Sequence, residues 1–121
     1  MIETVIKKIL EEKIITIVRG VPADKLIPLA EAMYEGGIRF LECTYDASGK
    51  ISDEEIAANI KMLADHFCGR MYVGAGTVLT KKQVVLTKKA GGVFIISPDT
   101  NPAVIKKTKK SDEFPRPILY I

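Results

Sequence analysis

Short apolar runs alternate with amphipathic stretches along the whole chain, and this alternation constrains the fold more than any other feature of the sequence. Strands separated by helices at this spacing are typical of a parallel sheet with right-handed crossovers. The predicted fold class is therefore α/β. The apolar runs that predict strands lie at residues 14–18, 38–44, 71–73, 93–96 and 118–121.

Helix signals lie before, between and after these predicted strands. Residues 2–10 carry apolar side chains at helical spacing, so the chain is predicted to open with an amphipathic helix. Two further helices are predicted to begin at capping boxes, in which side chains three residues apart satisfy free N–H groups, and a third at an N-cap followed by proline. These pairs are Ser52 with Glu55, Thr80 with Gln83, and Asn101 with Pro102.

Two architectures fit this order of elements. One is a partial (β/α)8 barrel, the TIM barrel, comprising about the first four βα units and the start of a fifth strand. The other is a complete doubly wound sheet of five strands. Periodicity alone does not choose between the two.

Composition excludes several classes of partner and location. The net charge of +3 is too small, and the lysines too well mixed with acids, to predict nucleic-acid binding. No apolar run is long enough to span a membrane, and the N-terminus does not match a secretory signal. Cys43 and Cys68 match neither a disulfide framework nor a metal site, so a cytoplasmic protein is expected.

Reactive side chains are expected at the carboxyl ends of the strands, where either architecture places its site. Glu42 interrupts the apolar segment FLECTY, and burial would move its pKa toward neutrality, as suits a general acid/base. An equally acceptable interpretation is an ion pair with a structural arginine or lysine. Arg19 could bind a substrate carboxylate with its planar fork of donors, or form an ion pair with Glu42 or Asp46.

Two other features carry weaker signals. Residues 74–77 form a glycine-rich segment predicted to be a βα turn, but Leu79 stands where the third glycine of a dinucleotide motif would be. His66 is the only histidine and lies toward the end of a predicted helix, which favours a solvated side chain. No nucleophile–histidine–acid set is visible.

Four segments together resemble the 2-keto-3-deoxy-6-phosphogluconate (KDPG) and 4-hydroxy-2-oxoglutarate (KHG) aldolases. In chain order they are IVRG, the stretch that follows it and ends in LECT, VGAGTVLT, and FIISPDTNP. The resemblance extends from about Ile14 to Lys110. The resemblance implies a (β/α)8 barrel, a homotrimer, and cleavage of a 2-keto-4-hydroxy acid to pyruvate and an aldehyde. It also implies a lysine Schiff base with the keto carbon, with no metal and no cofactor.

The resemblance assigns roles to five positions. Glu42 matches the catalytic general acid/base of the family, and Arg19 matches an arginine that binds the substrate carboxylate. Other members place an arginine at the position of Asp46, so Arg19 would act alone here. The residues implied to line the substrate site are Thr44, Thr77 and Pro98.

The Schiff-base lysine of the family lies on the sixth strand, in a segment like KFFP, whereas this sequence stops at Ile121. Residues 1–121 are therefore expected to form one incomplete aldolase-type barrel domain, inactive alone, in which Lys50 is the least implausible substitute amine. The alternative is a non-catalytic α/β module that binds a small acid, or that associates with a second copy.

Overall fold

One parallel sheet organises the residues that the computed structural model describes, which are 2–110 and 118–121. Helices alternate with the strands of this sheet, as the sequence pattern predicts. The elements are α1 (Ile2–Glu12), β1 (Thr16–Val18), α2 (Ala23–Glu35), β2 (Phe40–Thr44), α3 (Asp53–His66), β3 (Tyr72–Gly76), α4 (Lys81–Lys89), β4 (Phe94–Ile95), α5 (Pro102–Lys109) and β5 (Leu119–Tyr120).

The strands follow one another across the sheet in chain order, β1-β2-β3-β4-β5, and every neighbouring pair is parallel. This is the order of a (β/α)8 barrel, in which each strand is added on the same side of the previous one. A doubly wound sheet reverses direction after its first half, and the site lies at that reversal. The doubly wound alternative is therefore wrong, and the fold is a partial barrel.

The glycine-rich segment departs from the prediction. The sequence pattern predicts a turn from Gly74 onward, but β3 continues through Gly76. Cys43 pairs with Ala75 and Thr44 pairs with Gly76, so the ladder with β2 holds these small residues in extended backbone. Backbone hydrogen bonds across the sheet therefore decide the conformation here, against the low strand propensity of glycine.

The two faces of the sheet carry different clusters. The face under the helices holds the main core, which includes the fully buried Leu41, Ile60, Leu63 and Phe67. The opposite face holds a smaller cluster of Val5, Phe40 and Phe94, in which α1 covers the amino ends of the strands. Because side chains alternate along a strand, Glu42 lies on the same face as Phe40, further toward the carboxyl end of β2.

Helix caps agree with the sequence prediction, with one difference. Thr80 and Gln83 form the full capping box, and the Asn101 side chain accepts a hydrogen bond from the Ala103 N–H at 3.0 Å. Ser52 accepts from the Glu55 N–H at 3.2 Å, but Glu55 returns no bond to Ser52 within the described residues.

None of the described helices is long and apolar enough to cross a membrane.

Candidate active site

Three predicted site residues meet at the carboxyl ends of adjacent strands. Glu42 lies on β2, Arg19 directly follows β1, and Thr77 directly follows β3. The parallel register places Glu42 beside Ile17 of β1 and beside Gly74 of β3. The sheet therefore brings together residues that are up to 58 positions apart in the chain.

The Glu42 side chain is largely buried, but its carboxyl oxygens keep slight contact with solvent, because no fully buried side-chain oxygen among the described residues lacks a hydrogen-bond partner. The residue is only 5% exposed, and its side chain accepts no hydrogen bond and forms no ion pair among the described residues. Burial raises the pKa of Glu42, and the positive charge of Arg19 opposes this by favouring the carboxylate. A structural ion pair to Glu42 is therefore not formed within the described part of the chain. The group has the properties of a general acid/base.

Gly76 leaves the space that the Glu42 carboxyl group occupies. A Cβ atom built on Gly76 would overlap Oε1 of Glu42, so no other residue type fits at this position without moving the carboxyl group. Gly74, two pairs earlier in the β2–β3 ladder, likewise leaves space for a neighbouring side chain, since a Cβ there would lie 2.5 Å from the Phe94 ring. In the sequence, two glycines two residues apart in one strand indicate that other side chains come close to that face of the strand. They do not reveal which side chains these are.

Arg19 and Thr77 are joined by a side-chain contact. Nη2 of Arg19 donates to Oγ1 of Thr77 at 3.4 Å, and Arg19 forms no ion pair with Glu42 or Asp46. The predicted ion pair to either carboxylate is therefore wrong. Thr77 has a φ of +52°, a left-handed conformation that is strained for a β-branched residue. Strain of this kind is concentrated at functional sites, where surrounding contacts hold it in place.

The side chains of Thr44 and Asp46 hydrogen-bond to backbone groups at the end of β2 and in the loop that follows it. Thr44 Oγ1 donates to the Val18 carbonyl at 3.4 Å, which ties the ends of β1 and β2 together. The Asp46 carboxylate accepts from Ser48 N at 2.9 Å and from Ile51 N at 3.0 Å, so it closes its own loop. A small cavity of about 130 Å³ lies at these ends, and its lining includes Arg19 and Thr44.

Pro98 is exposed and lies at the same edge of the sheet, after β4, but apart from the other site residues. Its neighbour Ser97 links the loops after β3 and β4, because the Ser97 hydroxyl donates to the Val78 carbonyl at 2.9 Å. The structure thus places Pro98 one loop beyond Thr77 and brings it into no bonded contact with Glu42 or Arg19. The part of the site that the structure assembles consists of Arg19, Glu42 and Thr77.

The available nucleophiles are poor. All lysines of the sequence lie within residues 2–110, in helices or loops, and none of them is buried or on a strand, Lys50 included. The Cys43 thiol follows Glu42, and burial together with the Glu42 charge raises the pKa of this thiol to about 11, which keeps it protonated. Among the described residues, no three His, Cys, Asp or Glu side chains are close enough to hold a metal ion.

Replacing Glu42 by glutamine is expected to stabilise the fold at pH 7 by about 1 kcal/mol, because it removes a largely desolvated charge that accepts no hydrogen bond from the described residues. Since folding raises the pKa above its ordinary value of 4.5, the favourable contribution of Glu42 is present below that value. It is lost as pH rises through the folded pKa. The advantage of the glutamine variant should therefore shrink as the pH falls through the folded pKa of Glu42 and be lost below 4.5, as measured by urea unfolding across pH.

Glu35→Gln is the matched control, since it makes the same change on an exposed residue at the end of α2. It should leave the free energy of unfolding at pH 7 nearly unchanged, because substitutions of exposed residues usually have small effects. A destabilised Glu42→Gln protein at pH 7 would show that the carboxylate has a stabilising partner.

A parallel sheet in barrel order, with a buried carboxyl group and an arginine at the carboxyl ends of its strands, defines a protein of the (β/α)8-barrel class. The sequence profile of the family described as KDPG and KHG aldolase matches residues 5–117. The chain therefore belongs to this family of aldolases, and the resemblance found in the sequence is confirmed.

Individual relatives agree with this assignment. The 2-dehydro-3-deoxy-phosphogluconate aldolase of Haemophilus influenzae is 33% identical over 104 residues, which are 86% of this chain and 46% of that protein. The KDPG aldolase of Legionella pneumophila, solved with pyruvate as a covalent carbinolamine intermediate, has a TM-score of 0.68 at 28% identity. The superposition covers 88% of this chain and 45% of that one.

The chain is also similar to a designed, cube-shaped protein cage, which was made by fusing symmetric oligomeric domains. The TM-score is 0.66 at 26% identity, and the superposition covers 77% of this chain and 32% of the cage chain. The chain thus spans about half the length of the curated relatives that it matches.

Proposed function

We propose that this chain supplies the proton-transfer and carboxylate-binding part of a class I aldolase, which cleaves a 2-keto-4-hydroxy acid to pyruvate and an aldehyde. The observation that carries the proposal is the Glu42 carboxyl group at the strand ends, which is largely buried and accepts no hydrogen bond from the described residues, with Arg19 close enough to affect its pKa. Membership of the aldolase family supports the reaction class.

Each residue has a role in this proposal. Glu42 takes the proton from the 4-hydroxyl group as the C3–C4 bond breaks, and the aldehyde leaves. The electron pair of that bond passes to C3, toward the iminium at C2, and a returned proton converts C3 to a methyl group. Water then hydrolyses the iminium, which releases pyruvate and the free amine. A carboxyl group with a raised pKa can both accept a proton and donate it again at neutral pH.

Arg19 binds the carboxylate of the keto acid in the proposed complex. Its guanidinium group forms no ion pair among the described side chains, and only the Thr77 hydroxyl accepts from it. That leaves donors for a bidentate contact with a carboxylate. Thr44, Thr77 and Pro98 would line the rest of the pyruvate site.

The amine that forms the Schiff base is proposed to come from outside these 121 residues. A Schiff-base lysine must be partly neutral at pH 7, which requires a desolvated pocket. The lysines present are all at least partly exposed, and none lies on a strand with Glu42. Relatives about twice as long as the matched segment provide room for such a residue elsewhere.

Borohydride trapping tests this proposal. The chain incubated with pyruvate and borohydride should gain no stable mass on any lysine and should show no retro-aldol activity. Joined to the part of the Haemophilus influenzae relative that it does not match, it should gain one pyruvate adduct on a lysine of the added part and release pyruvate from KDPG or KHG.

Thermal melting followed by circular dichroism would confirm that both proteins are folded. A pyruvate adduct on a lysine of the 121-residue chain itself would contradict the proposal, because it would place the nucleophile here. A folded joined protein that forms the adduct but cleaves neither keto acid would assign the chain to small-acid binding instead.

We also propose a cytoplasmic, homo-oligomeric protein. Cys43 and Cys68 are both free, as expected of a reducing compartment. The similar designed cage was built from symmetric oligomeric domains, which supports self-association in this fold. Sedimentation of the joined protein should therefore give a mass above that of one chain.

A further inference from the structure

A second cavity lies at the opposite end of the strands from Glu42. Its volume is about 240 Å³, and it is bounded by α1, the end of α2, the start of β2 and the loop before β3. The side chains that line it are three cations, two tyrosines and one carboxylate: Lys8, Arg39, Arg70, Tyr34, Tyr72 and Glu12.

Two of the three cations are neutralised by partners. Lys8 Nζ lies 3.0 Å from Glu11 Oε2, and Arg70 Nη2 lies 3.0 Å from Glu31 Oε1. Arg39 differs, since it forms no ion pair within residues 2–110 and 118–121, and Glu12 does not pair with it although both line the cavity. The charge of Arg39 is therefore left without a direct counter-ion.

Arg39 is also held in a fixed orientation. Its Nη1 donates to the carbonyls of Tyr34 and Ile38, both at 2.9 Å, and its guanidinium carbon lies 4.0 Å from the centre of the Tyr34 ring. These contacts occupy one nitrogen and one face of the guanidinium group. Nε and Nη2 donate to no described residue, and they form the open edge of the guanidinium group. Because the other contacts fix the group, this edge is preorganised for a ligand.

Two hydroxyl groups complete the set of donors. The hydroxyls of Tyr34 and Tyr72 hydrogen-bond to none of the described residues, although both side chains are half-buried. Tyr72 lies near Lys8, whose pKa is raised chiefly by its hydrogen bond to Glu11 and further by Tyr72 and Glu12. Donors without a protein partner around one partly enclosed cavity are available to orient a small polar ligand.

We propose that this cavity binds a small oxyanion, through the open edge of the Arg39 guanidinium group and the hydroxyls of Tyr34 and Tyr72. A phosphate or carboxylate group matches a planar arginine fork, and its remaining oxygens can accept hydrogen bonds from tyrosine hydroxyls that line the same cavity. The site is separate from the candidate active site, because Arg39 and Tyr72 stand at the amino ends of β2 and β3.

The test uses inorganic phosphate and acetate as probes, titrated at constant ionic strength into the 121-residue chain. Binding is followed by the side-chain Nε–Hε resonance of Arg39 and by thermal melting. At least one probe should give a saturable response, and the stronger probe identifies phosphate or carboxylate as the preferred group. Arg39→Gln should weaken it about tenfold or more, because a charge-assisted bidentate contact is lost.

Tyr72→Phe should weaken binding severalfold while retaining the stacking of the ring on Phe40, whose centroid lies 4.8 Å away. It therefore tests the site even if Arg39→Gln does not fold. Lys81→Gln is the control, since it removes one charge from a different basic cavity, between α4 and α5. No saturable response to either probe, an unchanged affinity in Tyr72→Phe, or an equal loss in Lys81→Gln would overturn the proposal.

Discussion

Replacing Glu42 by glutamine is expected to lower kcat for carbon–carbon cleavage by about 10²- to 10⁴-fold in the joined aldolase described above, the range typical of a positioned general acid/base. Glutamine has nearly the same shape but cannot take up the proton of the 4-hydroxyl group. The Schiff base with pyruvate should still form if the lysine is elsewhere. The variant is therefore expected to retain borohydride trapping of pyruvate while losing turnover.

Steady-state kinetics with pyruvate release as the readout, together with the mass of the trapped adduct, separate these two effects. Glu35→Gln is again the matched control and should retain the parent kcat, because that carboxylate is exposed at the end of α2. If Glu42→Gln kept its turnover, the proton would have to be carried by another group, and the proposed role of Glu42 would be wrong.

Gly76→Ala is expected to lower the free energy of unfolding by about 2–3 kcal/mol, which is the upper part of the range for overpacking a buried site. The added Cβ would overlap the Glu42 carboxyl group, so either the strand or the Glu42 side chain must move. Movement of the strand would disturb the β2–β3 ladder at its last pair, Thr44 with Gly76. Urea unfolding of the chain measures the loss.

Gly36→Ala is the control for this substitution. Gly36 ends α2 in a right-handed conformation with a φ of −77°, and a Cβ there would meet its nearest atom, the Met33 carbonyl oxygen, at 3.4 Å. Alanine should be tolerated at that position within about 1 kcal/mol, since it reduces the entropy of the unfolded chain. Equal unfolding free energies for the two variants would show that Glu42 moves freely out of the way.

The candidate site carries features that oppose stability. Glu42 is buried without a hydrogen-bond partner among the described residues, and Thr77 is held in a left-handed conformation. Either feature alone costs about 1 kcal/mol or more, and a fold retains such costs where function needs them. Both lie at the same edge of the sheet, which is the edge where barrel enzymes carry their sites.

Local patterns in the sequence determine much of this protein. The alternation of apolar runs predicts the elements and their order, and the pairs at Thr80 and Asn101 predict helix starts that the structure confirms. Glu42 stands out because a carboxylate inside an apolar strand is unusual, and the ordered segments around it are specific enough to identify the aldolase family. These signals involve residues that are neighbours along the chain or lie within one helix or strand.

The tertiary structure decides what depends on contacts between distant segments. Only the strand order separates a barrel from a doubly wound sheet, because both share one local pattern. Arg19 was compatible with an ion pair to Glu42 or Asp46, yet the fold brings it to Thr77, and Gly76 is required only because Glu42 fills its space. Periodicity reports which face of an element is buried, whereas strand pairing sets which side chains meet, and that pairing is not encoded in any single segment.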